Sequence, residues 1–445
     1  MKKVLILGAG MVVKPIVTYL LNQGYQVTVA TRTKSKADAM IQGHENGRSL
    51  AWTVDDLAGL RQMVNDHDLA VSLLPWVHHV MVAKVCIELK KDMVTTSYVK
   101  PDMKALDQES KAAGIIILNE LGLDPGIDHM GAMRIIDHIH QNGGQVEEFY
   151  SVCGALPAPE AADNPFRYKF SWSPKGVVMA GNNDGKYLRY GKQVYIPTED
   201  LFKNPLKIDF PEVGKLEIYP NRDSMPYIDL YGIPETKTMM RGTFRYPGWC
   251  ESIDAMKALK LLGSDRYRLS GKSYADMLCM LIGEKNSDHP RKKAARFLGV
   301  SEDSHALDAL EWLGLFSHEP INRHEDSPFE VVSDLMIEKM ELGFEERDMV
   351  AMQHVFLASW ADGSKEVIKS SMLDFGTLSK DTAVARTVAL PAAIGVEMIL
   401  KGEIKEKGVH IPVLPGIYNP ILDALEKMDI RMIEEYGLPE TEIIK

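Results

Sequence analysis

The 445-residue sequence predicts an α/β protein that begins with a doubly wound parallel sheet. Short apolar strands alternate with helical segments from the N-terminus to residue 118. A glycine-containing turn follows the first strand immediately, and a helix follows that turn. Polar residues collect where the other strands end, which is the edge at which open parallel sheets bind ligands.

The first strand, residues 4–7, is followed by Gly8-Ala9-Gly10 and by a helix expected to end near Gln23. In such a turn the first glycine permits the tight backbone, and the second lets a pyrophosphate approach the N–H groups at the helix start. Val13 replaces the third glycine of this fingerprint, so the motif alone is weak. Because the turn lies within the strand and helix alternation, we interpret residues 1–124 as a Rossmann-like dinucleotide-binding domain.

Five further strands are predicted at residues 26–30, 49–54, 68–74, 93–97 and 115–118. The carboxyl ends of parallel strands meet at one edge, so the residues that follow the strands are expected to line the cofactor site. These residues are Ala30, Thr31, Arg32, Leu74, Pro75, Trp76, Thr96, Ser97, Tyr98, Asn119 and Glu120.

The end of the second strand indicates which cofactor is bound. An Asp or Glu at this position would bind the ribose 2′-hydroxyl and repel a 2′-phosphate. Here Ala30 is followed by Thr31, Arg32, Thr33 and Lys34, so the sequence favours NADP over NAD. The alternative is that Arg32 and Lys34 are solvated residues that only open the next helix.

A second, mixed sheet is predicted after residue 145. Polar residues alternate with β-branched and aromatic ones at 146–153, 187–196, 216–219 and 238–246, and strand character returns at 350–360 and 365–373. Between these stretches a helical period with C-cap glycines predicts an α-helical insertion at 251–344. We therefore expect an α+β domain for substrate binding and dimerisation at 125–250 and 345–385, with about 386–445 completing the first domain.

Composition excludes several classes of function. A net charge of -11 argues against nucleic acid or an anionic membrane as the main partner, because such partners require a basic surface. The four cysteines have no paired spacing, which suggests neither a disulfide framework nor a zinc site and favours the reducing cytoplasm. No apolar run is expected to span a membrane. The chain is therefore predicted to act on small molecules.

The stretch Asn-Glu-Leu-Gly-Leu-Asp-Pro-Gly-Ile-Asp-His at residues 119–129 follows the last predicted strand of the first domain. Its glycines and proline predict a sharp turn at the ligand-binding edge, which makes Asp124 the first acid to test. Asp124, Asp128 and His129 lack a dedicated metal-ligand spacing, so no metal site is expected. His78 and His79 are expected to open a surface helix.

Several longer motifs carry a resemblance to a known family. They are Val-Thr-Thr-Ser-Tyr-Val at 94–99, the 119–129 stretch, Leu-Pro-Ala-Pro-Glu at 156–160, Tyr-Lys-Phe-Ser-Trp-Ser at 168–173, Tyr-Pro-Asn-Arg-Asp-Ser at 219–224, Met-Arg-Gly-Thr-Phe-Arg-Tyr at 240–246 and Ala-Arg-Thr-Val-Ala-Leu-Pro-Ala-Ala-Ile at 385–394. Together they resemble the saccharopine reductases, the glutamate-forming saccharopine dehydrogenases. The resemblance implies a homodimer that oxidises saccharopine reversibly with NADP, by hydride transfer and then imine hydrolysis to glutamate and aminoadipate semialdehyde.

The resemblance also implies site residues. Arg222 and Arg245 would hold substrate carboxylates, with Thr243 and Phe244 beside them, and Ser97 would contact the substrate as well. From sequence alone, either arginine would be interpreted as a surface residue. The remaining predicted cofactor residues are Met11, Thr53, Val54, Leu123, Asp124, Pro125 and Ser173.

Tyr98, Asp124 and Cys153 are the titratable residues that the resemblance places next to the substrate. Asp124 is the leading acid/base, because partial burial against a cofactor could raise a carboxyl pKa. Alternatively, it only accepts a hydrogen bond from the substrate amine. Cys153 is more simply a small packing residue, and Tyr98 is better suited to orienting than to acting as a base, since a phenol titrates near ~10.

Two other functions remain open at the level of sequence. A related reductase could act on another amine–carboxylate conjugate, such as carboxynorspermidine, because an arginine pocket can serve more than one such ligand. The chain could also be an NADP-binding sensor without catalysis. A carboxylate-binding second site speaks against the sensor, which would not need one.

Overall fold

The computed structural model describes residues 1–445, with Ala180 described through its backbone only. The chain forms two compact units. Unit 1 comprises Met1–Gly144 and Ser370–Glu435, and unit 2 comprises Gln145–Lys369 and Tyr436–Lys445. Unit 1 thus extends past residue 124, the boundary expected from the sequence.

Unit 1 contains a seven-stranded, wholly parallel sheet with the order β17-β6-β5-β4-β1-β2-β3. The strands are β1 (Lys3–Leu7), β2 (Gln26–Thr31), β3 (Gly47–Ala51), β4 (Leu69–Ser72), β5 (Asp92–Val94), β6 (Ile116–Leu118) and β17 (Gly408–His410). The strand order reverses between β1 and β4, which is where open sheets bind their ligands. The predicted doubly wound sheet is confirmed, with one additional short strand near the C-terminus.

Helices cover both faces of this sheet. They are α1 (Lys14–Asn22), α2 (Lys34–Ile41), α3 (Leu57–Asn65), α4 (His79–Leu89), α5 (Pro101–Lys104), α6 (Asp107–Ala113), α7 (Ile127–Gln141), α15 (Ala383–Lys401) and α16 (Pro415–Glu426). By length and composition α15 could cross a membrane, whereas no apolar run was expected to approach the length of a membrane span. However, 72% of its apolar window is buried inside the structure, and its Gly395 packs against Leu121. It is a core helix of unit 1.

A mixed sheet, most of which belongs to unit 2, has the order β10-β11-β12-β7-β15-β16-β18, and the hairpin β8-β9 is joined to it through β12. Its strands are β7 (Gln145–Pro157), β8 (Gly185–Arg189), β9 (Lys192–Ile196), β10 (Leu206–Phe210), β11 (Gly214–Pro220), β12 (Thr238–Arg245), β15 (Asp348–Ser359), β16 (Lys365–Phe375) and β18 (Ile433–Leu438). The parallel pair β12 and β7 lies at its centre. The predicted second sheet is confirmed, whereas β10 and β18 were not anticipated.

The predicted helical insertion is also present. The helices of unit 2 are α8 (Pro174–Ala180), α9 (Pro226–Tyr231), α10 (Trp249–Ala258), α11 (Tyr274–Leu281), α12 (Pro290–Leu298), α13 (His305–Leu313) and α14 (Pro328–Lys339). The short strands β13 (Tyr267–Arg268) and β14 (Glu325–Asp326) pair within the insertion. Gly299 and Gly314 cap α12 and α13 in the left-handed conformation, as the sequence predicts.

Candidate functional site

The glycine turn after β1 is built as the dinucleotide fingerprint requires. Gly8 has φ +111°, and a Cβ atom at this position would lie 2.7 Å from the carbonyl oxygen of Leu73. A side chain is therefore excluded by both conformation and space. A Cβ atom on Gly10 would meet nothing within 4 Å, so the turn is open on the side that a pyrophosphate would approach.

Val13 occupies the position of the missing third glycine. Its side chain is buried, with 1% of its surface exposed, and it is the N-cap residue of α1. The helix begins here with Lys14 and with a proline in its first turn, which is favourable because the first backbone N–H groups have no partner within the helix. The incomplete motif thus still places a helix N-terminus behind the turn.

Large apolar side chains are exposed beside the turn. Met11 and Trp76 each expose 60% of their surface and follow β1 and β4, which are adjacent strands. The ammonium of Lys100 lies 5.3 Å from the centre of the Trp76 ring. Trp76 also lines a cavity of about 510 Å³ together with His79, Tyr98 and Asn119. Exposed apolar surface beside a cavity is typical of a ligand-binding groove.

The end of β2 carries the residues that would distinguish NADP from NAD. Arg32 is exposed and, among the described residues, forms no ion pair. Lys34, by contrast, pairs with Asp38 at 3.0 Å on the same face of α2. No carboxylate follows the strand, so Arg32 is the cation available to a 2′-phosphate.

Most other predicted cofactor residues also lie just after strands of unit 1. Thr53 and Val54 follow β3, Leu74 and Pro75 follow β4, Thr96 and Ser97 follow β5, and Leu123 and Pro125 lie in the turn that precedes α7. Ser173 instead belongs to unit 2, where it precedes α8. The cofactor roles of all these residues stay predictions.

Tyr98 and Asp124 are brought together within unit 1. Tyr98 follows β5, and its hydroxyl donates a hydrogen bond of 2.6 Å to Oδ1 of Asp124 in the turn after β6. Both side chains are half-buried. The phenol and the carboxylate are therefore hydrogen-bonded to each other beside the strand ends where a ligand is expected to bind. An acid/base role requires this position.

The turn that carries Asp124 is held by contacts that the sequence did not reveal. Glu120, at φ +55°, accepts a 2.7 Å hydrogen bond from the backbone N–H of Val99 and lies 2.7 Å from Nε2 of His129. Asp128 accepts a 2.6 Å bond from the backbone N–H of Gly126. Glu120 thus links the Tyr98 segment to α7, so its role here is structural.

The position of His79 differs from the expectation that it opens a surface helix. It does open a helix, but that helix does not expose it, because only 4% of its surface is accessible. Its Nδ1 lies 2.8 Å from the hydroxyl of Ser72, and its Nε2 lies 2.8 Å from the hydroxyl of Ser97. Burial lowers the pKa of the imidazole to about 4, so the ring is neutral.

In unit 2, two of the predicted site residues, Thr243 and Cys153, share one face of the sheet. Thr243 on β12 is paired in register with Cys153 on β7, and Tyr219 on β11 is opposite Thr243. Phe244 points to the other face, since a Cβ atom added to Gly154 there would lie 2.6 Å from the Cβ of Phe244. On the face that carries Thr243, Phe244 can therefore contact a ligand only through its backbone.

Arg245 lies inside an aromatic enclosure. Its guanidinium carbon is 4.9 Å from the ring centre of Tyr168, 5.3 Å from that of Trp249 and 5.8 Å from that of Tyr219. The residue exposes 3% of its surface, and NH1 donates to the carbonyl of Phe244 at 2.8 Å. Within the described part of the chain, Nε has no hydrogen-bond partner, and no carboxylate forms a salt bridge with the guanidinium, although the buried Glu217 is the residue opposite Arg245 on β11. A buried charge in this state needs an anionic partner.

Arg222 has a different environment. It is exposed and adopts φ +60°, and its carbonyl accepts a 2.8 Å hydrogen bond from the backbone of Lys186. The two arginines that the sequence grouped together therefore differ: Arg245 is buried and Arg222 is on the surface of unit 2.

Sequence reasoning missed the supporting roles of His79, Tyr168 and Trp249, and it expected Glu120 to line the cofactor site. A weak signal existed for Tyr168, which begins one of the family motifs. Among the described residues, no group of three or more His, Cys, Asp or Glu could hold a metal ion.

Comparison with known families gives two matches in succession along the chain. The profile described as the saccharopine dehydrogenase NADP binding domain matches residues 4–118. The profile described as the saccharopine dehydrogenase C-terminal domain matches residues 122–430.

Individual relatives agree with these profiles. The NADP-dependent, L-glutamate-forming saccharopine dehydrogenase of Saccharomyces cerevisiae is 37% identical over 445 residues, which is 98% of each chain. The protein of the same name from Schizosaccharomyces pombe is 36% identical and covers 98% of this chain and 99% of its own. The mitochondrial alpha-aminoadipic semialdehyde synthase of Mus musculus is 38% identical over 96% of this chain but only 47% of the mouse protein. The solved structure of the apo, histidine-tagged L-Glu-forming enzyme from Saccharomyces cerevisiae superimposes with a TM-score of 0.91 at 36% identity, over 98% of this chain and 100% of that one.

Proposed function

The chain belongs to the saccharopine dehydrogenase family, and we propose that it catalyses the reversible NADP-dependent oxidation of saccharopine to glutamate and aminoadipate semialdehyde in lysine metabolism. The relatives that carry this activity in their names match it over nearly their whole length. The buried guanidinium of Arg245 is the single structural observation that carries the substrate assignment.

The strand ends of unit 1 fit NADP. Gly8 and Gly10 leave room for the pyrophosphate, and α1 presents its N-terminus to it. Arg32 supplies a cation for the 2′-phosphate where an NAD-specific protein would carry an acid. Bound NADP would supply the hydride acceptor, and the exposed faces of Met11 and Trp76 would exclude water from it.

Saccharopine carries three carboxylates, and an acidic chain must meet them with local cations. Arg245 is the strongest candidate, because a carboxylate would provide the anionic partner that the described residues do not. The aromatic faces of Tyr168 and Trp249 hold the guanidinium plane and reduce its hydration, which strengthens a bidentate contact. We assign Thr243 to the same carboxylate, and Arg222 and Ser97 to further substrate contacts.

Tyr98 and Asp124 are assigned to the proton transfers. Oxidation requires a proton to leave the secondary amine, and hydrolysis of the imine requires protons to move as water adds and the carbinolamine collapses. Asp124 can take the proton, while the Tyr98 hydroxyl stabilises the carboxylate at 2.6 Å and orients it. Cys153 is assigned to packing beside Thr243, since the residue is 8% exposed.

A homodimer in the cytoplasm completes the proposal. The family resemblance supports the dimer, and the four cysteines, all buried as free thiols, support a reducing compartment. Light scattering of the purified protein measures the first point directly. A mass equal to one chain would contradict the dimer.

A panel of substrates tests the proposal. The protein is mixed with NADP or NAD and with saccharopine or carboxynorspermidine, and the absorbance of the reduced nicotinamide is followed. We expect a signal with saccharopine and NADP, and a much weaker one with NAD. A signal with carboxynorspermidine alone would identify a different reductase. NADP binding without a signal from either conjugate would identify a sensor.

A further inference from the structure

A hydrogen-bonded chain of three side chains lies beneath the ligand-binding edge of unit 1. Ser72 is the last residue of β4, His79 is the first residue of α4, and Ser97 follows β5. The imidazole connects the two hydroxyls, with 2.8 Å from Nδ1 to Ser72 and 2.8 Å from Nε2 to Ser97. The chain thus links two adjacent strands at their carboxyl ends.

The backbone of Ser97 is held by two further contacts, one of them to the hydroxyl of Thr95, which itself lies 3.4 Å from Nε2 of His79. The N–H of Ser97 donates to the hydroxyl of Thr95 at 3.4 Å, and its carbonyl accepts the N–H of Glu120 at 3.2 Å. What remains adjustable is the rotation of the Ser97 hydroxyl. A hydroxyl can point its hydrogen and its lone pairs in several directions, and only a fixed neighbour removes that choice.

His79 is suited to be that neighbour. It exposes 4% of its surface, and burial keeps the pKa of the ring near 4, so it carries no charge at neutral pH. A neutral imidazole donates through one nitrogen and accepts through the other. Whichever role Nδ1 plays toward the fully buried Ser72, the nitrogen facing Ser97 therefore plays the other one.

We propose that His79 is a positioning residue, which holds the Ser97 hydroxyl in one orientation toward the ligand along the strand ends. This inference rests on the proposed function for the assignment of Ser97 to that ligand. His79 itself does not transfer protons in this account. Its ring lies against the same cavity of about 510 Å³ as Tyr98 and Asn119, one step behind the groups that contact the ligand.

A double-mutant cycle between positions 79 and 97 tests the proposal, because two residues that act through one contact give non-additive effects. In the wild-type background we expect His79→Phe, which keeps the ring size, to lower kcat/KM for saccharopine roughly 3- to 10-fold, the effect of one neutral hydrogen bond. In the Ser97→Ala background the same change should have almost no effect. His79→Gln, which can still reach Ser97, should recover part of the loss.

His78 provides the matched control. His78 is the N-cap residue of α4 and directly precedes His79. Within the described chain its side chain forms no capping hydrogen bond. His78→Phe should leave kcat/KM unchanged. Equal losses from His79→Phe with and without the Ser97 hydroxyl would overturn the proposal, because His79 would then act on the fold rather than on Ser97.

The same double-mutant cycle is then measured with the dissociation constant of NADP in place of kcat/KM, because binding can be measured without turnover. We expect the same non-additivity, since Ser97 lies at the predicted cofactor edge. If the wild-type protein does not oxidise saccharopine but the binding cycle is non-additive, the proposed function fails and the role of His79 stands.

Nitrogen NMR of the imidazole adds a readout of the tautomer. We expect one neutral tautomer in the wild type and a mixture in Ser72→Ala, and a mixture already in the wild type would contradict the role of Ser72.

Discussion

The hydroxyl of Tyr98 donates a 2.6 Å hydrogen bond to Oδ1 of Asp124. The two residues are 26 positions apart in sequence and follow adjacent strands, β5 and β6. A carboxylate that is oriented by a phenol at the ligand-binding edge is suited to take a proton from an amine and to return it to a carbinolamine.

Replacing the carboxylate tests this role. We expect Asp124→Asn to lower kcat for saccharopine by about 100-fold or more, which is the usual contribution of a general acid or base. The affinity for NADP should change by less than about 3-fold, a small free-energy difference. Tyr98→Phe should lower kcat by about 10-fold or more, because it removes one hydrogen bond to a charged group. If Asp124→Asn raised KM and left kcat intact, Asp124 would be an anchor for the amine and nothing more.

Arg32 determines the preference for NADP in this account. Arg32→Ala should weaken NADP by roughly 10- to 100-fold, because it removes a charge-assisted hydrogen bond to the 2′-phosphate, and should leave NAD nearly unaffected. Lys34→Ala is the control, since Lys34 is already paired with Asp38. Dissociation constants of both nucleotides measure the effect. Equal losses for NADP and NAD would show that Arg32 does not contact the 2′-phosphate.

Arg245 should act on the substrate and not on the cofactor. Arg245→Lys keeps the charge but loses the planar fork, so we expect KM for saccharopine to rise by about 30-fold or more, with NADP affinity unchanged. Arg241→Lys is the control, because this arginine is also buried on β12 and donates to the hydroxyl of Tyr227 at 2.7 Å. The control should affect thermal stability more than KM. The same rise in KM for both variants would remove the special role of Arg245.

The turn that carries Asp124 should tolerate no side chain at Gly126. This residue has φ +147°, and a Cβ atom would lie 2.0 Å from the carbonyl oxygen of Gly122. Gly126→Ala should therefore destabilise the protein by roughly 4 kcal/mol or more. Gly114→Ala is the matched control, because Gly114 has φ +74° with nothing within 4 Å, and it should cost only about 1 kcal/mol. Urea unfolding compares the two variants, and similar losses would mean that the turn can relax.

His79 gives a pH dependence with a defined sign. Its pKa is about 4 in the folded chain and near its ordinary value of 6.5 in the unfolded one. The unfolded state therefore binds more protons between these values, so the free energy of unfolding should fall as the pH drops from about 6.5 to about 4 and be unaffected by His79 above that range. The full difference is about 3 kcal/mol. Unfolding of wild type and His79→Phe across this range isolates the effect, and parallel curves would contradict it.

The sequence was sufficient for most of the architecture, where a strand or helix showed an apolar run or a clear period. The apolar runs after residues 3 and 25 and the glycine turn determined the first sheet. In contrast, β17, Gly408–His410, contains only one apolar side chain and pairs with β6 across a separation of almost 300 residues, so no local pattern marks it. The edge strand β18 was missed because exposed residues dominate it, whereas β10 was missed although its five residues alternate between apolar and charged side chains.

The candidate site was predictable in part. Tyr98 and Asp124 could be grouped because both follow strands, and strand ends share an edge. The contacts that hold them could not be anticipated: Glu120 reaches Val99 and His129 only after the turn has formed. The burial of Arg245 was missed because arginine is usually exposed, and because two of the aromatic residues around it, Tyr168 and Tyr219, come from distant segments.

The products released from saccharopine test the central claim most directly. Wild-type protein is incubated with NADP and saccharopine, and reduced nicotinamide and free amino acids are quantified in the same sample. We predict one glutamate for each NADPH formed, with aminoadipate semialdehyde as the other product. Release of lysine and 2-oxoglutarate instead, or NADPH formation without glutamate, would contradict the account.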